Sequence, residues 1–140
     1  MRILFVSFSD FRGGAAIAAS SLFKLIKGHK KKFLIAEKKE IFSYQIFNFF
    51  EFCFIIILRI FEKILIFFVL KKKFHQSLNI FSTKVYKKIN SHKSEIINLH
   101  WINRSMMSFN DILKIKGKIL ISMHDMWFLN STEHYSTHFR

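Results

Sequence analysis

The chain has 140 residues, a formal net charge of +14 and 51% hydrophobic residues, with nineteen Phe and no Pro. That length suits one domain with a single core. One cysteine, Cys53, excludes an intrachain disulfide and a Cys-based zinc site within the chain, and a reducing compartment fits. The basic residues are mostly lysine, and the excess of Lys, Ile, Phe and Asn is what an AT-rich coding sequence produces, so charge alone names no partner. A pI near 10.1 still draws the surface to phosphate-rich partners: nucleic acid, anionic headgroups or nucleotide-linked substrates.

Residues 2–9, RILFVSFS, are almost continuously apolar, the pattern of a strand buried on both faces. The apolar stretch is too short for a signal peptide and reads better as a first strand. DFRGG breaks it, and AAIAASSLFKLIK resumes at helical spacing. That spacing places Ile17, Leu22, Leu25 and Ile26 along one side and Lys24 and Lys27 towards solvent, with Gly28 as the cap. KKFLIAEKK is a second strand. Strand, glycine turn, helix and strand make a βαβ unit, the start of a parallel sheet.

Residues 44–73 form an apolar helical region. From residue 46 to 73 its polar members Asn48, Glu51, Arg59, Glu62 and Lys63 fall near one stripe at helical spacing, and KKK closes it. Three readings stay open: a helix lying in a membrane interface, a helix or helix pair buried in the core, and a spanning helix, although no uninterrupted apolar run reaches spanning length. Cys53 sits among Phe52, Phe54 and Ile55 and is filler rather than a nucleophile.

Residues 77–93 read as a further helix. SEIINLHWIN, residues 94–103, is a third strand, and MMSFNDILKIKG is a short helix with Ser108 or Asn110 as N-cap. GKILISMHDMW is a fourth strand, its GKILI run read as buried. No repeat and no Pro/Gly/Ser linker divides the chain, so 1–140 is one α/β domain on a Rossmann-like parallel sheet.

In an open sheet of this kind ligands gather beyond the carboxyl ends of the strands. Three polar clusters fall there: Ser9-Asp10-Phe11-Arg12-Gly13-Gly14, His100-Trp101-Asn103 and His124-Asp125-Trp127. Gly13-Gly14 at a helix start lets backbone N–H groups approach a phosphate or another anion, although the dinucleotide fingerprint is absent. Parallel strand directions bring the three clusters to one crevice. His134 and His138 share a face if helical, but no H-E-x-x-H accompanies them and no metal is expected. The lysine clusters at 30–32 and 71–73 come with no nucleic-acid-binding motif.

The stretches ILFVSFSDFRGGAAIAASSLFKLIKGH, IINLHWIN and SMHDMWFLNSTEHYS resemble, in order and spacing, the N-terminal half of retaining GT-B glycosyltransferases of family 4. The likeness is to the group that builds capsular, exopolysaccharide and lipopolysaccharide sugars. It implies a GT-B fold and an acceptor-side domain for moving sugar from a nucleotide-sugar donor to a cell-surface polysaccharide or lipid-linked acceptor. It implies no cofactor, the nucleotide sugar being a substrate, and a cytoplasmic, peripheral place at the inner face of the plasma membrane.

Carried over by position, His124 is the sugar-contacting catalytic candidate. Gly13 and Gly14, with Asp10 and Arg12, lie by the acceptor or diphosphate. His100, Trp101, Asn103, Asp125, Trp127, His134 and Tyr135 line the cleft. FLNSTE replaces the family's Pro and paired glycines, and the family's C-terminal nucleotide-sugar domain, with its spaced glutamates, is absent. The expectation is a truncated half that transfers no sugar alone. The alternative is a non-catalytic basic α/β domain that binds a membrane or nucleic acid.

Overall fold

The computed structural model describes residues 1–70 and 77–130; His134 and Tyr135 lie outside them. The strands are β1 (Arg2–Ser9), β2 (Lys30–Glu37), β3 (Tyr44–Gln45), β4 (Ile96–Leu99) and β5 (Lys118–Ile121). The helices are α1 (Gly13–Leu25), α2 (Phe49–Leu70), α3 (Val85–Ser91), α4 (Phe109–Ile112) and α5 (Trp127–Asn130). The five strands form one sheet in the order β3-β2-β1-β4-β5, and every pair is parallel. This is the Rossmann-like order, with the chain reversing its direction of growth between β1 and β4. The expected α/β class and parallel sheet are found.

β1 is central and buried at every residue but Arg2. Alternation sorts the sheet residues onto two faces. Leu4, Val6, Phe8, Leu34, Ala36, Ile97 and Leu99 enter the larger core with residues of α2, α3 and the 102–115 segment. Ile3, Phe5, Phe33 and Ile35 pack on the other face with Ala19 and Phe23 of α1.

The helix α1 contacts the sheet with a different side from the one its larger apolar residues suggest. Ala16, Ala19, Ser20 and Phe23 are buried, while Ile17, Leu22 and Leu25 are exposed. Small residues let the helix lie close over the strands, and Phe23 fills the remaining gap between Phe5 and Phe33, with ring centroids 5.5 Å from each. The expected cap Gly28 is left-handed, at φ 76°, but α1 closes before it, at Ile26, whose extended backbone ends the helix and whose amide donates to Leu22 O.

The helix α2 turns part of its polar stripe inward. Glu62 is 3% exposed; it accepts from the Ser105 hydroxyl at 2.8 Å and from the Ile80 amide at 3.2 Å. Arg59 is half-buried, and Glu51 pairs with Lys88. Outside lie Phe49, Phe50, Phe54, Ile57, Phe61, Ile64, Phe67 and Phe68. The polar stripe therefore points partly into the protein and the greasy side points away from it. Each such side chain would contribute roughly 1.5–3 kcal/mol if fully buried, so the outer face is a large unfilled apolar surface. Among the described residues no helix is long and apolar enough to cross a membrane.

Of the expected helix over 77–93 only Val85–Ser91 is helical. Ser82 and Thr83 instead donate to Asp111, whose carboxylate also closes a capping box with Ser108, which of the two candidates, Ser108 and Asn110, is the N-cap of α4. The third strand is shorter than 94–103, because the chain turns out of the sheet after Leu99. β5 corrects the buried-strand reading of GKILI. All four of its residues are exposed, since it is the last strand of the sheet and no described helix covers it.

Gly117, just before β5, has φ 123°, and a Cβ there would stand 2.6 Å from Ile97 Cδ1 and 2.9 Å from the Ser94 carbonyl oxygen. Gly117→Ala is therefore expected to destabilise by about 2 kcal/mol or more, through backbone strain and a clash with main chain. Urea unfolding followed by tryptophan fluorescence checks this; an unchanged midpoint would show that the turn relaxes freely.

Candidate functional site

Because β1, β4 and β5 run parallel, their carboxyl ends meet at one edge, and each end delivers one of the polar clusters. The pairing outlasts the strands: His100 donates its amide to Val6 O at 2.8 Å, Phe8 to Trp101 O at 3.0 Å, and Ser122 to Leu99 O at 2.9 Å. These bonds carry the register of the sheet into the exit loops and so fix where the side chains stand.

At the end of β1, Ser9 Oγ accepts from the Phe11 and Arg12 amides, shaping the turn into α1. Gly13 has φ 81°, which favours glycine, and neither Gly13 nor Gly14 has any atom within 4 Å of where a Cβ would be. The start of α1 is open ground on which a ligand can approach the backbone. Arg12 is exposed and lies 3.6 Å from Glu37. Asp10 has another employment. It is 3% exposed and accepts from the Lys39 and Glu40 amides, both at 3.0 Å, and from Ser43 Oγ. Its carboxylate holds the turn between β2 and β3 against the end of β1.

The ends of β4 and β5 are joined by side chains. His100 Nδ1 and His124 Nε2 are 2.9 Å apart, and the two rings stack with centroids 5.2 Å apart. His100 stacks in turn on Phe5 at 5.9 Å. Beside them Trp101 Nε1 donates to Asp125 Oδ2 at 2.8 Å, and Asp125 Oδ1 accepts from the Trp127 amide. His100 and Trp101 of one cluster thus meet His124 and Asp125 of another, as the convergence of strand ends requires.

Besides His100, which is only 2% exposed, two more expected cleft residues stand in the interior. Trp127 is fully buried, stacked on Phe109 at 4.7 Å, with its indole N–H on Ser77 O at 2.6 Å. Asn103 is buried and accepts from Asn79 at 2.9 Å. Both support the wall from behind.

Burial, and then the neighbouring His124, push the His100 imidazole down to about 4. Burial lowers His124 too, against the opposing pull of Asp125. Near neutral pH the pair is uncharged and shares one N–H between the two facing nitrogens. His124 is exposed, and its Nδ1 is an acceptor in one tautomer and a donor in the other. His100 Nε2 is buried without a hydrogen-bond partner among the described residues.

The sequence reading passed over Arg104, four residues beyond His100, whose guanidinium carbon sits 5.2 Å from the Phe8 ring and 5.3 Å from the Trp101 ring. A basic residue directly after the polar strand end was the available signal. Among the described residues no group of three or more His, Cys, Asp or Glu gathers closely enough to hold a metal ion. Comparisons with protein-family models, with curated proteins and with solved structures find no match.

The pH dependence follows from the pair. An unfolded histidine takes its proton near 6.5, whereas folded His100 resists until about 4. Stability is therefore full above 6.5 and is lost as pH falls towards 4, by at most ~1.4 kcal/mol per pH unit for this proton. In His100→Phe, which can keep the stack on Phe5, the loss between pH 6.5 and 4.5 should be shallower than in the wild type. Parallel curves in denaturant titrations would show that the pair does not carry this proton.

Proposed function

We propose that this chain is the acceptor-side Rossmann-like domain of a GT-B glycosyltransferase working at a membrane surface. Its carboxyl edge holds the hydroxyl-bearing acceptor of sugar transferred from a nucleotide-sugar donor. The observation that carries the reading is the meeting of three strand ends at one edge, where the neutral His100–His124 pair stands with the open glycine turn. A sugar hydroxyl both donates and accepts, so it suits His124 Nδ1 in either tautomer, and an uncharged imidazole suits an uncharged group. His124 is the contacting residue in this reading. His100 positions it through the shared N–H, and Asp125, held by Trp101, fixes the loop that carries it.

Mapping of amide chemical shifts during titration with a neutral oligosaccharide tests the site. Shifts are expected at Gly13, Gly14, His100, His124 and Asp125, and His124→Ala should weaken binding by about tenfold, the loss of one good hydrogen bond to the ligand. Shifts confined to other surfaces would sink the reading.

The apolar outer face of α2 supports the membrane part, and taken alone it also suits a non-catalytic domain that rests on lipid. An apolar face beside a cationic surface is the combination that binds anionic headgroups and the acyl boundary together. In vesicle flotation the chain should follow anionic vesicles and largely ignore neutral ones. Phe50→Asp with Phe67→Asp, both on the exposed face, should reduce flotation by about tenfold or more while leaving the thermal midpoint in place. Flotation that survives this double substitution would assign binding to lysines alone.

A further inference from the structure

Arg104 occupies a place that the acceptor reading leaves unused. It and Ser105 both adopt left-handed backbone, at φ 61° and 58°. Non-glycine residues held there cost on the order of 1–3 kcal/mol each and persist only where their surroundings impose them. Here the imposition is visible. The Ser105 amide donates to Asn79 Oδ1 at 2.8 Å, its hydroxyl donates to Glu62 Oε2 at 2.8 Å, and Asn79 donates to Asn103. All four of these residues are buried.

The turn so fixed leaves the Arg104 guanidinium half-buried against the Phe8 and Trp101 rings. Among the described residues no carboxylate pairs with it and no acceptor takes a hydrogen bond from it, which leaves five N–H donors in a partly dry place. Burial, with Arg59 of α2 next and Arg12 also contributing, holds its pKa below the ordinary value, against the pull of Glu37. Glu37 lies 3.6 Å from the exposed Arg12, and its Oε2 is buried without a hydrogen-bond partner among the described residues. The charges that Arg104 feels are those of Arg59, Glu37 and Arg12, two cations against one carboxylate. Arginine forks match phosphate oxygens bidentately, and a ring-backed guanidinium is already oriented for it.

We propose that Arg104 is a receptor for a phosphate or diphosphate group at the carboxyl edge. This rests on the reading of that edge as the ligand crevice and names the anionic part of what it holds. The neutral histidine wall takes the hydroxyls and the arginine corner takes the charge. The phosphate belongs either to a lipid headgroup or to a soluble ligand.

The test uses the full chain at low salt with inorganic pyrophosphate as the probe, read by thermal unfolding and calorimetric titration. Pyrophosphate should raise the wild-type midpoint, as any ligand of the folded state does. Arg104→Asn, a residue that tolerates left-handed backbone, should keep or raise the unliganded midpoint and bind pyrophosphate about tenfold more weakly, the loss of one charge-assisted fork. Arg104→Lys keeps the charge without the fork and should fall between the two. Lys27→Gln, exposed beyond the far end of α1, should bind as the wild type does.

Wild-type affinity in Arg104→Asn overturns the proposal, and so does an equal loss in Lys27→Gln, which would mean diffuse attraction to a chain of net charge +14. Neutral-oligosaccharide binding should survive in Arg104→Asn, so failure here is separable from failure of the acceptor reading. Vesicles of matched charge identify the source. An Arg104-dependent preference for phosphatidic acid over phosphatidylserine places the phosphate on a lipid; Arg104-dependent pyrophosphate binding with equal recruitment to both places it on a soluble ligand.

Discussion

The parallel pairing of β1 with β2 on one side and β4 on the other is the constraint from which the rest follows. A central strand of a parallel sheet has both faces covered and both edges hydrogen-bonded, so it is mainly apolar, as RILFVSFS is from Ile3 to Val6 and at Phe8. Having no hairpin available, the chain leaves each strand at the same edge and returns by crossover. That edge is therefore where backbone stops being paired and polar side chains become affordable. The bonds from Val6, Phe8 and Leu99 into the exit loops extend the register by two or three residues. His100 and His124, twenty-four residues apart in sequence, meet because of it.

The parts legible in the sequence are those set by local chemistry. A buried strand broken by Gly13-Gly14 and followed by a helix needs only residue types and short spacing to recognise, and the same is true of the capping box at Ser108 and Asp111. Facing is harder to read in a chain this apolar. In α1, Ile17, Leu22 and Leu25 suggested the inner side, yet close approach to the sheet selected Ala16, Ala19 and Ser20. In α2 nearly every side is hydrophobic, so periodicity carries no phase. The orientation is set by partners far away in sequence, Ser105 and Ile80 for Glu62 and Lys88 for Glu51. The left-handed turn at Arg104 and Ser105 contains no glycine to announce it, and its causes, Asn79 and Glu62, lie in other segments.

The carboxyl edge divides electrostatically. On the face shared with α1, burial keeps His100 and His124 uncharged. On the opposite face Arg104 rests on Phe8 and Trp101. Alternation along β1 and β4 produces this division, since Phe5 and His100 point to one side and Phe8 and Trp101 to the other. A sheet edge so built offers a hydroxyl-compatible wall and a cationic corner a few residues apart, with no metal-ligand set among the described residues.

The helix α2 connects that edge to the outer surface. Its outward side is a row of phenylalanines and isoleucines, while its inward side carries Arg59 and Glu62. Glu62 accepts from Ser105 and so supports the turn that aims Arg104. A buried carboxylate is a costly way to fasten a helix when a leucine would pack there. Burial raises its pKa and the bonds from Ser105 and Ile80 work against that shift, so the group is held rather than merely tolerated. The cost is intelligible if the helix must do more than pack. A contact on its apolar side bears on the same rigid element that, through a single hydrogen bond, supports the turn carrying the guanidinium at the carboxyl edge.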